Sequence, residues 1–487
     1  AVSSGDTMLH VATQNSTQTF DWRKIKVTNA ASWLTGVTNS KKVVLYNGAN
    51  DITLNNYAVT PTVSGDYEYG LRSNTTTPTA TTVSANQIFF EGNRFQNANV
   101  TYDTHNPIAA ATTYAGRSTL GNTTKNNKLT IDGINFSGTL YGGYTESPNG
   151  DSTNNEVFLK GGSTQITGSS TTIYGGWSAQ GNATNNTVTF NNVTYASSQH
   201  VYGGGSLNAS SDVRTGNTLR VVNSKENWAH TINNFEKMEF ELGSAVSSGD
   251  TMLHVATQNS TQAFDWRNIR VTGLRAWATA LAANNVNTPT LTLYTGPGLT
   301  LNNYAPTIVG TRGDYEFGKR ANGTLSGTTM TGASVLTVDG NRFQNAGKNQ
   351  NVTTPGATPR GTYAGLSVYG NTTNHNELNL TGGSHVNARA GYTDAQNGGS
   401  DFNTLNLLSG GFVTNGYAGY TEGVHLLANP EDEDHPELVD TTKNADAKNN
   451  TVNIQGGTLN AGGKLYGGYI ATNAAPTPPN NVSAGNA

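Results

Sequence analysis

Apolar residues alternate with polar ones in short runs that recur at nearly constant spacing along the chain. Each run begins with an Asn that has apolar side chains two and four residues later, as at Asn127, which Leu129 and Ile131 follow. The same run returns at Asn155 and Asn186, after steps of 28 and 31 residues. Alternation of this kind indicates β-strands with one buried face, because a helix needs apolar residues three and four positions apart.

A glycine pair and an aromatic residue close each of these units. Tyr-Gly-Gly follows an apolar residue at Leu140, Ile173 and Val201. A unit that returns about every 30 residues is typical of a solenoid, in which each coil buries its apolar face only by stacking on its neighbours. We therefore predict an all-β fold, a right-handed parallel β-helix with loop insertions, whose hand follows the usual connection of parallel strands. We expect the repeated Asn to form a ladder along one edge.

The chain contains one long unit twice. Residues 1–18 and residues 245–262 share the sequence AVSSGDTMLHVATQNSTQ, and matching segments follow both copies with small offsets. We therefore divide the chain into a first unit at 1–244 and a second unit at 245–487. The first unit has an irregular part at 1–75, regular coils at about 110–222 and a linking strand at 231–242. The second unit has an irregular part at 245–324 and regular coils at about 360–470, into which an acidic loop is inserted at 424–446.

The irregular parts are interpreted as further coils of the same stack that carry insertions. Short β-type runs support this interpretation, at Met8–Ala12, Ile25–Thr28, Lys42–Tyr46 and Leu291–Tyr294. An Ala-rich stretch at Leu274–Ala283 is expected to form a short helical turn. Trp22 and Trp266, each between an Asp and an Arg, are either part of a ligand-facing cluster or buried where a coil is irregular. Burial is the favoured interpretation, since Trp is usually mostly buried.

Composition agrees with a long solenoid and excludes some classes of partner. Charged residues make up 12% of the chain, which is about half of the share of roughly 25% in ordinary globular domains. The net charge of −4 gives no basic face for nucleic acid or for anionic lipid. The chain has no cysteine, which suits a large surface protein that crosses a bacterial periplasm unfolded. The sequence shows neither a signal peptide nor an apolar span of 18 residues.

The inserted loop carries the densest charge of the chain and gives the first set of candidate binding residues. Its carboxylates are Glu431, Asp432, Glu433, Asp434 and Glu437. A solvated loop is the favoured interpretation, since charge runs are usually exposed, and contact with a basic protein comes second. Calcium binding comes third, because the spacing of EF-hand and nonapeptide sites is absent. We therefore predict no metal site and no cofactor.

Aromatic residues after the glycine pairs give the second set of candidates. They are Tyr144, Trp177, Tyr420 and Tyr469, and stacking of the coils in register would place them in a column. Such a column can bind a protein or a glycan, because rigid aromatic side chains offer contact area at a low entropic cost. It can also be a ladder that stabilises the stack by itself, which is the favoured interpretation.

Sequence signals for catalysis are absent. The nine histidines are dispersed, without the His-Glu-x-x-His spacing of a zinc enzyme, and no Gly-x-Ser-x-Gly elbow marks a serine nucleophile. No coil gathers the paired carboxylates that glycoside hydrolysis needs. We therefore expect a protein that is not an enzyme and has no catalytic residues. The alternatives are a β-helical polysaccharide-degrading enzyme, a glycan-binding protein and a purely structural surface-layer protein.

The linking strand and the coils together resemble a known family. The segment Ile232–Leu242, which leads to Gly249–Leu253, and the coils with their repeated Asn, glycine pairs and Tyr-Gly-Gly-Tyr are similar to the passenger region of type V autotransporter adhesins, above all the fusobacterial-type β-helical surface adhesins. The resemblance extends over nearly the whole chain through its repeats. It brings no catalytic residues with it.

This resemblance implies a bacterial cell-surface adhesin with a role in cell adhesion and virulence. The implied partner is a host cell-surface glycoprotein or receptor, for which an immunoglobulin-like adhesion receptor is one candidate, or another bacterium. The full-length protein is expected to be secreted to the cell surface and held there by an outer-membrane barrel that lies outside this chain. The family also implies a monomer or a homotrimer, and no nucleic-acid partner is expected.

Overall fold

The fold is built almost entirely of β-strands. The computed structural model describes residues 2–13, 17–34, 40–75, 80–146, 150–166, 171–195, 199–257, 262–348, 350–356, 360–369, 371–394, 398–421 and 446–471. Within these residues lie two α-helices, α1 (Ala30–Leu34) and α2 (Leu274–Ala283), and α2 confirms the helical turn expected there. No helix in this part of the chain is long and apolar enough to cross a membrane.

The first unit begins with six strands and continues with coils. The first six strands are β1 (His10–Val11), β2 (Thr19–Asp21), β3 (Ser40–Asn55), β4 (Thr62–Ser64), β5 (Tyr67–Ser73) and β6 (Thr82–Arg94). The strands of the coils are β7 (Asn99–Tyr102), β8 (Thr112–Ser118), β9 (Thr124–Lys125), β10 (Lys128–Asp132), β11 (Thr139–Thr145), β12 (Ser152–Thr153), β13 (Glu156–Ile166), β14 (Thr171–Ser178), β15 (Ala183–Thr184), β16 (Thr187–Tyr195), β17 (Gln199–Ser206), β18 (Thr218–Val222), β19 (Asn227–Ala229), β20 (Thr231–Asn233) and β21 (Lys237–Glu241).

The second unit repeats this order. Its first strands are β22 (Thr251–Val255), β23 (Ala263–Asp265), β24 (Ile269–Thr272), β25 (Thr290–Asn302), β26 (Thr307–Arg312), β27 (Tyr315–Ala321), β28 (Thr324–Ser326) and β29 (Thr329–Arg342). The strands of its coils are β30 (Asn351–Val352), β31 (Thr362–Ser367), β32 (Thr373–Asn374), β33 (Glu377–Leu380), β34 (Ser384–Thr393), β35 (Ser400–Asp401), β36 (Thr404–Leu408), β37 (Phe412–Thr421), β38 (Thr451–Gln455) and β39 (Thr458–Ile470).

The coils of the first unit stack as parallel strands in three sheets. One sheet has the order β24-β21-β18-β16-β13-β10-β7, the second β20-β17-β14-β11-β8 and the third β15-β12-β9. Leu129, Val157 and Val188 lie in register on neighbouring strands of the first sheet and are fully buried. Their alignment confirms the prediction of a parallel β-helix, in which each coil covers the apolar face of the next.

The coils of the second unit follow the same plan. Their sheets have the orders β30-β33-β36-β38, β31-β34-β37-β39 and β32-β35. Leu378 lies in register with Leu405, and Leu405 with Val452. The apolar side chains of each coil therefore continue the core of the coil before it, as in the first unit.

The repeated Asn residues form a buried hydrogen-bonded row, which we call the inner Asn ladder. It consists of Asn127, Asn155, Asn186 and Asn217 in the first unit and of Asn376, Asn403 and Asn450 in the second. Except in the last Asn of each unit, Nδ2 donates to the Oδ1 of the Asn in the next coil, at 2.8 Å from Asn127 to Asn155. The predicted ladder is thus confirmed, but it lies in the interior and not along an edge. Because a buried amide without a partner is costly, the row fixes the register of the coils.

The residue before each ladder Asn turns the chain in a left-handed conformation. Asn126, Asn154 and Asn185 hold this corner in the first unit, with φ of 55°, 53° and 57°. His375 and Phe402 hold it in the second unit, with φ of 52° and 53°. Asn tolerates this region better than most residues, because its short polar side chain bonds locally. The Asn residues at the corners of the first unit therefore adopt a positive φ with less strain than His375 and Phe402 do.

Each unit also contains an antiparallel sheet, which differs from the further coils predicted for the irregular parts. The strands β3, β6, β5 and β4 pair in that order in the first unit, and β25, β29, β27 and β26 pair in the second. Tight hairpins turn at Gly65 and Gly313, where φ values of 57° and 55° suit glycine. Gly-Asp between two β-type runs is a hairpin signal, so the sequence contains evidence for this reversal of the strand.

A buried carboxylate joins each antiparallel sheet to the coils that follow it. Glu68 accepts a hydrogen bond from Ser118 Oγ at 2.7 Å. Glu316 in the second unit accepts from Ser367 Oγ at 2.8 Å and from the backbone N of Val368 at 2.6 Å. Burial raises the pKa of Glu316, and the hydrogen bonds from its donors act against this rise. In each unit, the antiparallel sheet is therefore joined to the following coils in the same way.

The second unit stacks directly on the last coil of the first. Strand β24 pairs with β21, and β22 pairs with β19, all in parallel. The alternating residues Met238, Phe240 and Leu242 of the linking segment are buried beneath this junction. One continuous stack therefore leads from the coils of the first unit into the beginning of the second.

Both tryptophans of the Asp-Trp-Arg segments are buried, in agreement with the favoured interpretation. Trp22 is 7% exposed and Trp266 is 1% exposed. Their indole Nε1 groups donate to Ala58 O at 2.7 Å and to Thr307 Oγ1 at 2.9 Å. The neighbouring Asp and Arg side chains bind each other in both copies. These clusters therefore close irregular parts of the fold and offer no open site.

Candidate binding surface on the aromatic columns

Two columns of side chains run along the outside of the sheet that contains β8, β11, β14 and β17. Column one contains Tyr114, Tyr141, Tyr174 and Tyr202, and column two contains Arg117, Tyr144 and Trp177. We call these seven residues the first aromatic surface. The columns follow from the register of the sheet, because parallel strands in phase place equivalent residues side by side.

A glycine pair lets both columns face outward. In β11, Tyr141 and Tyr144 are half-buried, whereas Gly142 and Gly143 between them are buried. A Cβ atom at Gly143 would lie 2.4 Å from Asn155 Nδ2 of the inner Asn ladder, so only glycine fits there. The two tyrosines consequently lie next to each other on the outer face, with ring centroids 4.7 Å apart.

The rings of each column stack face to face. In column one the centroids of Tyr141 and Tyr174 are 5.3 Å apart with planes at 7°, and those of Tyr174 and Tyr202 are 4.8 Å apart at 17°. In column two Tyr144 and Trp177 are 4.9 Å apart at 22°. These distances are close to the spacing of about 4.8 Å between neighbouring strands. The ring faces are therefore used between coils, and the ring edges remain available to a partner.

The first aromatic surface is half-exposed, and three of its tyrosines have a raised pKa. All seven of its residues have intermediate exposure. Burial raises the pKa of Tyr174 to about 12 and also raises the pKa of Tyr141 and Tyr144. The hydroxyl groups of these three tyrosines therefore stay protonated at neutral pH and act as neutral donors and acceptors of hydrogen bonds.

Arg117 places a cation at one end of column two. Its Nη2 lies 2.8 Å from Glu146 Oε2, and its guanidinium carbon lies 5.4 Å from the ring centroid of Tyr114. The Arg117 side chain is 24% exposed, so part of the group faces solvent. The surface thus combines Tyr, Trp and Arg, the three residue types that are enriched in the hot spots of protein interfaces.

The second unit has the equivalent columns in a more closed form. Column one contains Tyr363, Arg389, Tyr417 and Tyr466 there, and column two contains Leu366, Tyr392, Tyr420 and Tyr469. Tyr392 and Tyr420 are only 2% and 8% exposed. The guanidinium carbon of Arg389 lies 4.5 Å and 4.2 Å from their ring centroids. This cation therefore occupies part of the aromatic surface that a ligand would need.

The structure brings the predicted aromatic residues together in pairs, one pair in each unit. Tyr144 and Trp177 are neighbours in the first unit, and Tyr420 and Tyr469 are neighbours in the second, with centroids 5.3 Å apart. The predicted acidic residues lie outside the described part of the chain, and they are Glu431, Asp432, Glu433, Asp434 and Glu437. The aromatic columns are therefore the candidates whose geometry is known.

Sequence analysis missed column one and both of the arginines as parts of this surface. Tyr141 and Tyr174 stand three residues before the predicted Tyr144 and Trp177. The sequence signal for them is the glycine pair in between, because it lets the side chains on both sides of it face outward. Arg117 and Arg389 stand where other coils have an aromatic residue. That relation becomes visible only when the strands are aligned.

Metal ligands and known relatives give no further guide to the site. Among the residues that the structure describes, no group of three or more His, Cys, Asp or Glu is placed to hold a metal ion. Comparisons with protein-family models, with curated proteins and with solved structures give no match for this chain. The first aromatic surface is therefore the feature from which a function can be inferred.

Proposed function

We propose that the chain is a non-catalytic adhesin whose first aromatic surface binds a glycoprotein on a host cell or on another bacterium. The observation that supports this function is a continuous patch of half-exposed Tyr, Trp and Arg side chains on a stack of paired coils. In protein interfaces these residue types contribute a large part of the binding energy when a partner covers them.

Ring stacking orders this surface before any partner arrives. Tyr144 is held between neighbours, with centroids 4.7 Å from Tyr141 and 4.9 Å from Trp177. A side chain that is already ordered loses little conformational entropy on binding. The outer ring edges and neutral hydroxyls therefore offer apolar contact and hydrogen bonds at a small ordering cost.

The size of the surface fits the centre of an interface. Column one spans three steps between coils, which amounts to about 14 Å at about 4.8 Å per step. A hot spot of this extent needs a rim of weaker contacts that excludes water. The Thr- and Asn-rich coils around it provide neutral polar side chains for such a rim. A glycoprotein suits this combination, because it presents both apolar and hydroxyl-rich groups.

The proposal includes a position on the bacterial cell surface, reached by secretion and kept by an outer-membrane anchor. The supporting observations are the resemblance of the repeats to autotransporter passengers and the composition, with 12% charged residues and no cysteine. A stack of coils that needs no disulfide can form after export, since each coil adds to the one before it.

Binding of the labelled chain to cultured host cells, measured by flow cytometry over a concentration series, tests the proposal. A variant with both Tyr144→Ser and Trp177→Ser should bind at least about thirtyfold more weakly, which corresponds to the loss of about 2 kcal/mol from a hot spot. The matched control is Phe402→Asn, because Phe402 is an aromatic residue outside the columns and is 51% exposed. It should bind like the parent chain.

Thermal unfolding of both variants establishes that the fold is kept. Unchanged binding by the folded Tyr144 and Trp177 variant would contradict the proposal. Release of reducing sugar ends from cell-surface polysaccharide by the parent chain would support the alternative of a polysaccharide-degrading enzyme instead.

A further inference from the structure

One segment of eighteen residues occurs twice with the same sequence and has two different environments. Met252 and Leu253 are both 0% exposed in the second copy, whereas the identical Met8 and Leu9 are 61% and 54% exposed in the first. The same contrast holds for Val2 against Val246, at 40% and 1%, and just after the segment for Phe20 against Phe264, at 44% and 1%. Since the side chains are the same, the difference lies in what covers them.

The last coil of the first unit covers the second copy. Strand β22 lies between β25 and β19, with Leu253 paired to Asn227. Strand β24 pairs with β21, where Ile269 lies opposite Met238. In the described part of the first copy, β1 pairs with β3 alone, and Ile25–Thr28 forms no strand, contrary to the prediction. Among the described residues, the covered copy therefore differs from the exposed copy in having a neighbouring coil.

Polar contacts at the covered copy define which kind of coil fits. Lys225 Nζ lies 3.1 Å from Asp250 Oδ1, and Glu226 Oε2 lies 2.9 Å from His254 Nε2. The counterparts of Asp250 and His254 in the first copy are Asp6 and His10. The first copy thus keeps the residues that recognise a Lys-Glu pair at the start of the neighbouring strand.

We propose that the exposed face formed by Val2, Met8, Leu9 and Phe20 is a docking surface for a parallel β-coil with the chemistry of residues 217–242. The occupant carries a Lys-Glu pair for Asp6 and His10, an Asn-Trp-Ala strand that pairs with residues 9–11, and a Met-x-Phe strand that pairs with residues 25–28. The same pairing already exists within the chain, between β19 and β22 and between β21 and β24.

The chemistry of this contact is strand addition. Backbone hydrogen bonds along an open strand edge supply affinity, and the side chains that fit between the coils supply specificity. An open edge with exposed apolar side chains pairs readily with another strand. Since the docking surface lies on β1 and the segments beside it, it is separate from the first aromatic surface and from the function proposed for that surface.

The experiment extends the full chain by adding a second copy of residues 97–244 ahead of Ala1. The new junction, Ser244 followed by Ala1, has the same sequence as the existing junction of Ser244 and Ala245. Hydrogen-deuterium exchange is read by mass spectrometry on peptides that reach Thr19 in the first copy or Ala263 in the second, because the eighteen shared residues alone have the same mass.

Exchange in peptides covering residues 7–28 is expected to slow at least about tenfold, toward the rate of residues 251–272, because pairing protects backbone amides. A control extension in which the added copy carries Met238→Asp and Phe240→Asp should give no protection. Equal exchange with and without the unmodified extension would overturn the proposal.

Sedimentation velocity of the chain without an extension tests the other possible occupant. Larger assemblies at high concentration, together with protection of residues 7–28, would show that a second copy of the chain covers the face. This result would also overturn the proposal, because the occupant would then not be a coil of the 217–242 type. A monomer with rapid exchange at these residues is the expected result.

Discussion

Residues 1–28 and residues 245–272 differ at three positions and adopt different secondary structure. The later segment contains strands at Thr251–Val255 and Ile269–Thr272. The earlier one has only His10–Val11 in place of the first of these and no strand in place of the second. In a solenoid a coil forms where a neighbour offers backbone partners and an apolar face. The comparison teaches that the adjacent coil, more than local β-propensity, decides whether these residues become strands.

The two aromatic surfaces teach a related lesson about the outer face. The coils beneath them share the inner Asn ladder and the glycine that faces it, such as Gly143 in the first unit and Gly391 in the second, but Ala390 stands where the first unit has Gly142. Arg389 takes the position that Tyr141 has in the first unit, and Tyr392 and Tyr420 beside it are buried. Because the ladder and the glycine that faces it are kept, outward-facing positions are free to differ between the units, and binding properties can differ with them.

The largest expected effect comes from a carboxylate at Leu253, compared with a carboxylate at the equivalent Leu9. Leu253→Asp should lower the free energy of unfolding at the junction of the units by about 4 kcal/mol, because it buries a carboxylate without a partner. Leu9→Asp should lower it by less than about 0.5 kcal/mol, since Leu9 is 54% exposed. Urea unfolding, with hydrogen exchange as the readout, measures both variants. Exchange is followed in residues 246–272 for Leu253→Asp and in residues 2–28 for Leu9→Asp. Equal losses would mean that the two environments are alike.

A second comparison is between the inner Asn ladder and another row of hydrogen-bonded Asn residues, which consists of Asn379, Asn406 and Asn453. Asn155→Ala should lower the free energy of unfolding by about 3 kcal/mol, because it leaves the buried partners of the Asn155 side chain without hydrogen bonds. One of these partners is Asn186 Oδ1, which lies 3.1 Å from Asn155 Nδ2. Asn453→Ala should lower the free energy of unfolding by about 0.5 kcal/mol. Its hydrogen bond, from Asn453 Nδ2 to Asn406 Oδ1 at 2.8 Å, is only partly buried. Thermal unfolding of both variants measures the difference. A larger loss for Asn453→Ala would argue against the structural role of the inner ladder.

A smaller effect is expected from pH. Burial raises the pKa of Glu316 in the folded chain above its ordinary value of 4.5, so the folded state binds more protons than the unfolded state between the two values. The contribution of Glu316 to stability is therefore fully present below about 4.5 and is lost as pH rises through the raised pKa. Glu316→Gln should remove this dependence. Urea unfolding of the parent and variant at a series of pH values measures it, and identical pH profiles would refute the expectation.

The smallest expected effect concerns the left-handed corners. Phe402→Asn should raise the free energy of unfolding by about 0.5 kcal/mol, because Asn tolerates a positive φ better than Phe. The φ of 53° at Phe402 equals that of Asn154 in the first unit. The reverse change, Asn154→Phe, should lower stability by about 1 kcal/mol. The Phe402 ring stacks on that of His375, with centroids 5.3 Å apart. Thermal unfolding measures both variants, and a destabilised Phe402→Asn chain would show that this contact outweighs the effect of the backbone conformation.

The coils could be predicted from the sequence because each of their signals is local. Alternation at Leu129 and Ile131 marks the buried face of a strand, and the glycine pairs mark the places where the outer residues flank the inner ladder. The repeat then shows which coil lies on which. The fold class, the burial of Trp22 and Trp266, and the partnership of Tyr144 with Trp177 all follow from such local patterns.

The Gly-Asp signals mark one hairpin in each antiparallel sheet, but the other strand pairings and part of the site could not be predicted because they depend on distant partners. Strand β3 continues through Asn50 and Asp51, residue types that are depleted in strands, because β6 pairs with it on both sides of this irregularity, at Asn47 and at Ile52. The residues Ile25–Thr28 form no strand and pair with no coil among the described residues, whereas their counterparts Ile269–Thr272 pair with β21. Arg117 and Arg389 belong to the aromatic surfaces only through their register with other coils.

The inner Asn ladder gives the stack a direction. Within the row, each Asn–Asn hydrogen bond runs from an Nδ2 to the Oδ1 of the coil that comes later in the chain, as from Asn127 to Asn155, from Asn155 to Asn186 and from Asn376 to Asn403. The amide dipoles therefore add head to tail, with an oxygen at the end where the row begins and N–H groups at the end where it stops. Two such stacks can continue each other only when they point the same way, which makes any longer fibre of these coils polar.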